Sequence, residues 1–231
     1  MHIFYWVTIL LSRILIRDIM MKTPIPVSNL KPTEYIQDIL NILEIHYPVK
    51  NAPAKTRFKA IKNGKPMCFF LFSGSCVVSR AEDTLVISTL NAPNIIGINE
   101  IIPFKLDFII EASTDIKYLQ VPLDEFLTFT EANLLWKSVS FVLMYVSSRL
   151  YENLRNYTGL STYKIICNQL YALNNESFDV RATTPAVVYI QRRTFLFRSG
   201  IMKILSDLNA GGYISINKGL LIKINMLPEK Y

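Results

Sequence analysis

The segment from Thr184 to Asn225 constrains the fold more than any other stretch, because two short helical runs around a tight corner are followed by a hairpin pattern. Thr184 is a helix N-cap candidate, and Pro185 suits the first helical position, where a missing N–H costs nothing. Ala186, Val187, Ile190 and Thr194 recur at helical spacing, and Ile201, Ile204, Leu205 and Leu208 repeat it, so each helix has one apolar stripe. Gly211 and Gly212 are expected to stop the second helix by supplying positive φ. Tyr213 to Ile216 then alternates as a strand into Asn217-Lys218-Gly219, a turn signal, before Leu220 to Ile224 returns. Helix, corner, helix and hairpin in this order predict a winged helix-turn-helix, which sets its second helix in the major groove of DNA.

On that reading Arg198, Ser199, Gly200 and Lys203 lie at the start and first turns of the second helix, away from its apolar stripe. Arg198, Ser199 and Lys203 are therefore the expected major-groove contacts: Arg pairs with guanine in a bidentate way, and Lys reaches guanine or phosphate. Arg192, Arg193 and Lys218 are expected to add phosphate contacts, which position a protein without reading sequence. The same residues also read as the solvated face of an ordinary core helix. Charge leans toward DNA, since residues 158–231 hold nine Lys/Arg against four Asp/Glu, while 31–130 hold ten against eleven. A basic terminal module beside a near-neutral one is what phosphate neutralisation requires.

At 231 residues, of which 51% are apolar, the chain is long enough for one large domain or two small ones with a real core. Cys68, Cys76 and Cys167 are odd in number and widely spaced, with no CxxC pair, so neither a disulfide framework nor a zinc site is implied. Three buried thiols and a cytoplasmic location follow most simply; a redox-sensing thiol is the alternative. The apolar run Ile3 to Ile16 is interrupted by Ser12 and Arg13 and is shorter than the roughly 20 apolar residues that span a bilayer. It reads as a packing extension, or as a stretch upstream of a start at Met20 or Met21, rather than as an anchor or signal peptide. No membrane partner is expected.

Thr33 to Ile45 carries Tyr35, Ile36, Ile39, Leu40 and Leu43 on one side of an amphipathic helix. From Arg57 to Val121 the chain breaks into short runs rich in Val, Ile, Phe and Thr. The turn signals between them are Asn63-Gly64, Ser73-Gly74, Glu82-Asp83, Asn91 to Asn94 and Ser113 to Asp115. Six or more strands at this spacing predict a small roll. A long helix is then expected from Glu131 to Tyr157, with Thr130 as N-cap. Leu135, Val139, Val142, Val146, Leu150 and Leu154 form a near-heptad seam on it, suited to a sister helix in a homodimer. Trp136, Phe141, Leu143 and Met144 make a second apolar face, and a single buried core helix is the competing account. The expected organisation is an extension over 1–32, a roll over 33–130, a dimerisation helix over 131–157 and the winged module over 158–231. The fold class is α+β.

This arrangement resembles the Crp/Fnr-like transcription regulators, which join a cyclic-nucleotide-binding-like β-roll, a long dimer helix and a winged helix-turn-helix. The resemblance covers roughly residues 33–231. It is carried by Ser88 to Glu100, where Asn91, Ile96 and Gly97 follow the roll's central turn, and by Tyr118 to Phe129, which looks like the strand and helix leading to the dimer helix. RRTFLFRSGIMKILSDLNAGGYISI resembles the IprA-type subgroup, named for inhibition of hydrogen peroxide resistance, except that Phe195 stands where a Gly is usual. The subgroup implies a link to oxidative-stress genes.

Other departures bear on ligands. Cyclic-nucleotide binders carry a Glu just after the Gly matched by Gly97 and an Arg-Ser or Arg-Thr pair for the phosphate. Here Ile98 follows Gly97, and the matching loop reads Pro103-Phe104-Lys105-Leu106-Asp107. Asp107 repels an anion and Lys105 lacks bidentate geometry, so tight cAMP binding is not expected and the effector is unknown. Scattered thiols do not form an iron–sulfur ligand set. A metal-dependent cupin needs clustered His and carboxylate ligands, yet His2 and His46 lie outside the strands. Asp124 and Glu125 suit a helix N-terminus and need no acid–base task. No glycine-rich phosphate loop is present, so nucleotide hydrolysis has no scaffold, and with the preceding points no enzyme and no cofactor are expected. Double-stranded DNA and a second copy of the chain are the expected partners. The alternatives are a small-molecule sensor with an unknown ligand and a protein-interaction module.

Overall fold

The computed structural model describes residues 27–101, 107–157 and 159–229. The apolar run Ile3 to Ile16, the Met20-Met21 pair and the loop residues Pro103, Phe104, Lys105 and Leu106 lie outside the described residues. A 3-10 turn at Val27–Leu30 leads into helix α1, Thr33–His46, which buries Ile36, Ile39, Leu40 and Leu43. The Tyr47 N–H closes α1 on the Leu43 carbonyl at 2.8 Å.

Among the described residues nine strands follow: β1 (Lys50–Ala52), β2 (Arg57–Lys59), β3 (Ile61–Lys62), β4 (Lys65–Ser73), β5 (Ser75–Arg80), β6 (Val86–Asn91), β7 (Asn94–Ile96), β8 (Phe108–Ala112) and β9 (Ile116–Pro122). They form two sheets, one ordered β1-β9-β4-β3 with β7 also on β4, the other ordered β2-β8-β5-β6, and the pairings are antiparallel. The period-2 pattern seen in sequence is the reason: β8 alternates buried and half-buried positions so that Phe108, Ile110 and Ala112 face the interior. Between the sheets Phe58, Phe69 and Tyr118 pack ring on ring, with centroids 4.6 to 5.5 Å apart. Gly97, at φ +96°, shows why the central turn demands glycine: a Cβ there would come within 2.4 Å of the Met67 carbonyl oxygen.

The helical region departs from expectation. A helix before the long one is present as the resemblance implies, α2 (Leu123–Ala132), but the long helix α3 (Trp136–Tyr157) starts at Trp136 instead of Glu131, after a break at Asn133 to Leu135. Leu134 takes φ +55°, Asn133 Nδ2 donates to the Phe129 carbonyl at 2.9 Å, and Leu135 N–H reaches the Thr130 carbonyl at 3.0 Å. Thr130 is thus a buried residue inside α2 and not the cap of the long helix. At 22 residues, α3 spans roughly 33 Å.

The expected dimer seam is also corrected. Leu135, Val139 and Val142 are buried in the chain's own core together with Ile36, Ile39, Leu40 and Leu43 of α1 and with Phe70 and Phe126; Val146 is half-buried against it. The stripe of α1 needed a partner, and the nearest face of α3 supplies it. Leu150 and Leu154 remain on the surface, 58% and 61% exposed, beside Tyr151 and with Met144 farther up the helix. A second core fills the roll, and a third lies in the carboxyl-terminal region.

Candidate nucleic-acid interface

After α3 come α4 (Thr162–Asn174), α5 (Phe178–Thr183), α6 (Ala186–Gln191), α7 (Arg198–Ala210) and the strands β10 (Ile214–Asn217) and β11 (Leu220–Ile224). Sequence reasoning missed α4 and α5, although Tyr163, Ile166, Cys167, Leu170 and Leu173 recur at helical spacing and Ser161 caps α4 by accepting from Lys164 N–H. These apolar residues form the floor on which α6 and α7 sit. Tyr163 also donates to the Pro228 carbonyl at 2.7 Å, which ties residues beyond the hairpin to α4.

Ile201, Ile204, Leu205 and Leu208 of α7 are buried, as their spacing requires, and Ala186 and Ile190 of α6 meet them. The corner between α6 and α7 is closed by Thr194, whose hydroxyl donates to the Ile190 carbonyl at 2.9 Å and accepts from Leu196 N–H at 3.4 Å. Phe195, in the position where a Gly is usual, is not among the residues with positive φ, so a side chain is accommodated there without strain. At the far end of α7 the positive φ belongs to Gly212 alone, at +71°, while Gly211 has φ −75°. A Cβ on Gly211 would come within 2.6 Å of the Tyr213 ring, so a larger residue there would displace that side chain.

The hairpin turns on Lys218 (φ +49°) and Gly219 (φ +84°), the pair of left-handed residues that a two-residue type I′ turn needs. It is anchored twice. Ala186 N–H donates to the Gly219 carbonyl at 2.9 Å, and Ile216 N–H donates to Asn209 Oδ1 of α7 at 2.9 Å. The wing tip therefore lies at the start of α6, and a groove of about 450 Å³ runs between α7 and the wing, bordered by Arg198, Met202, Ser206 and Lys218. Arg198, Ser199 and Lys203 are exposed on α7, and its first turn holds no acidic residue to oppose the positive end of the helix dipole.

Arg193 does not join this surface, and Arg192 does not border the groove. The Arg193 guanidinium lies 3.7 Å from the Tyr189 ring centroid, donates to Thr89 Oγ1 of β6 at 3.0 Å, and meets Glu176 at 3.5 Å. A side chain so engaged within its own chain is not an outward phosphate contact, and that expectation is withdrawn for Arg193. Arg192 is exposed but borders a cleft against β5 and β6, and its carbonyl accepts from Val86 N–H at 2.7 Å. Both arginines look alike in sequence; only their positions against the roll separate them from Arg198.

Residues 162–229 match the family model described as winged helix-turn-helix DNA binding. The c-di-GMP-responsive global regulator CLP of Xanthomonas campestris superposes with a TM-score of 0.65 at 15% identity, covering 82% of this chain and 100% of that one. A Crp/Fnr-family transcriptional regulator from Thermus thermophilus gives 0.56 at 14% identity, covering 76% and 93%. The chain has the Crp/Fnr fold. Among curated proteins, this Crp/Fnr-like chain is 29% identical over 167 residues to the inhibitor of hydrogen peroxide resistance of Escherichia coli K12, covering 70% of this chain and 79% of the relative. It is 26% identical over 186 residues to the protein of that name in Salmonella typhimurium, covering 76% and 89%. Among the described residues, no helix is long and apolar enough to cross a membrane, and no group of three His, Cys, Asp or Glu is disposed to hold a metal ion.

Proposed function

We propose that the protein is a cytoplasmic, homodimeric, sequence-specific transcription regulator of the Crp/Fnr-like type whose roll no longer takes a cyclic nucleotide. The observation that carries this reading is the shared groove of α7 and the wing, with Arg198 and Lys218 on its borders and Ser199 and Lys203 exposed on the same helix. Arg198, Ser199 and Lys203 meet base edges, and Lys218 meets a phosphate. Two copies joined along α3 through Met144, Leu150, Tyr151 and Leu154 present their α7 helices to half-sites about 34 Å apart. Ile98 is buried in the core where cyclic-nucleotide binders carry a Glu, and the interior of the roll is occupied by Phe58, Phe69 and Tyr118. The target genes are those of hydrogen peroxide resistance, a proposal that rests on the names of the relatives.

Sequencing of genomic fragments retained by the purified chain, followed by a salt titration on the enriched site, tests this. Enrichment of one short motif and a steep loss of affinity with salt are expected. Salt-insensitive binding with no motif would reject it in favour of a protein-interaction module. A second reading, a regulator answering to a small molecule, is favoured by the cleft of about 340 Å³ between the roll and α5 and α6, bordered by Thr89, Glu111, Glu176 and Arg193. A small molecule co-eluting with the purified protein would favour it.

A further inference from the structure

Phe197, which immediately precedes α7, is a residue that the fold itself does not account for. It is 85% exposed and stands at the N-cap position with extended backbone, φ −67° and ψ 138°, making no side-chain cap. Ser, Thr, Asp or Asn at that position would each satisfy an orphan N–H and stabilise the helix by about 1 kcal/mol. A phenyl ring there forgoes that gain and also leaves a large apolar surface in water. The second ring of the corner has an internal use: Phe195 is 75% exposed, but the Arg80 guanidinium of the roll sits 5.1 Å from its centroid. Phe197 instead stands exposed at the N-terminal end of the helix, next to Arg198. Met202, half exposed one turn along, borders the same groove as Arg198, so the leading edge of α7 is mixed, apolar and cationic side by side.

That mixture specifies a chemistry. Arg reads acceptor atoms, whereas the one apolar group that a base pair presents in the major groove is the C5-methyl of thymine. We propose that Phe197 is a specificity-determining residue that packs its ring on a thymine methyl in each half-site, next to the base reached by Arg198. The proposal rests on the function given above and sharpens it from DNA binding to the choice of one base. Being exposed, Phe197 can be replaced without disturbing the core.

The test uses the full-length chain, Phe197→Ala and Phe197→Leu, with three kinds of duplex: the enriched site, the same site with each thymine replaced singly by uracil, and a scrambled sequence. Uracil keeps every hydrogen-bonding atom and removes only the methyl. One uracil position per half-site is expected to weaken the wild-type chain by about fourfold, the ratio that corresponds to about one methyl group of buried apolar surface. Phe197→Ala should lose that discrimination while its melting temperature and its affinity for the scrambled duplex stay unchanged, and Phe197→Leu should keep part of it. The proposal is overturned if no uracil position affects the wild-type chain, or if Phe197→Ala discriminates just as well. Failure of the underlying function is distinguishable, because it appears before any uracil is introduced, as equal affinity for the enriched and scrambled duplexes.

Discussion

Arg193 donates to the hydroxyl of Thr89 across 3.0 Å, and this bond joins the corner of the helix-turn-helix to strand β6 of the roll. The junction has neighbours of the same kind. Val86 N–H bonds the Arg192 carbonyl at 2.7 Å, and Arg80 faces the Phe195 ring. Tyr189 donates to Glu176 Oε1 at 2.7 Å, which holds the carboxylate where Arg193 meets it. The carboxyl-terminal module is therefore bonded to the roll at the corner between α6 and α7.

Removing this link should cost stability. The Arg193 and Glu176 side chains are each only 15% exposed, so water does not replace what is lost. Arg193→Ala is expected to destabilise the chain by about 2 kcal/mol, the range of a hydrogen-bonded charge left without its partners, whereas Arg198→Ala on the exposed face should stay within about 0.5 kcal/mol. Denaturant unfolding of both variants and of Thr89→Val in a double-mutant cycle measures the coupling. Additive effects of Arg193→Ala and Thr89→Val would show that the bond contributes nothing.

Arg198 and Lys218 border one groove but should fail differently when removed. Arg198→Ala is expected to weaken the enriched site by about 1 to 3 kcal/mol more than scrambled DNA, because a base contact is lost. Lys218→Ala should weaken both sequences alike and reduce the slope of log affinity against log salt by about one. Fluorescence anisotropy over a salt series separates the two; equal losses on all sequences for both variants would reject the division of labour.

Turns and the inward face of α7 were legible because each is a local rule: Asn63-Gly64 and Lys218-Gly219 adopt the positive φ that marks hairpin turns, and Ile201 to Leu208 keep one helical period. The face of α3 was not legible, since a helix apolar on two sides does not reveal which side meets its own domain. Leu135, Val139 and Val142 went to α1, whose stripe had been recognised without its partner. The break before Trp136 carries no glycine or proline, only Leu134 in a conformation that a branched side chain seldom signals. Arg193 was misread for a third reason: its partner Thr89 lies 104 residues away, and nothing near Arg193 in sequence marks it as inward.

The seam proposed along α3 makes its own prediction. Leu150→Glu with Leu154→Glu should give a folded monomer in sedimentation velocity, because both side chains are exposed in the protomer and a charge there opposes only association. Val139→Ala, at a fully buried position, should lower stability by about 2 kcal/mol and leave the association state alone. A dimer that survives both glutamates would move the interface elsewhere.

Among the described residues, Ile98 lies in the core where a cyclic-nucleotide binder carries a Glu, and Asp107, exposed, brings a negative charge to the end of the matching loop. Isothermal titration with cAMP should give no binding heat up to millimolar ligand, and the salt-titrated affinity for the enriched site should be unchanged by the nucleotide. Micromolar affinity would require a phosphate clamp other than the one the Crp/Fnr fold uses.

The thiols supply a prediction with a definite pH window. Cys68, Cys76 and Cys167 are free and buried, and burial raises the Cys76 thiol from its ordinary 9.0 to about 11 and shifts Cys167 in the same direction. In the folded chain Cys76 therefore holds its proton where the unfolded chain releases it. Its contribution to stability is full below pH 9 and is lost as pH rises toward 11, at up to about 1.4 kcal/mol per pH unit. The stability difference between the wild-type chain and Cys76→Ala should shrink across that window, as read by denaturant unfolding at each pH. At pH 8 a disulfide reagent should modify none of the three thiols quickly in native protein and all three after denaturation. A thiol that reacts rapidly in the native chain at pH 8 would mean an accessible thiolate, and would return redox sensing to consideration.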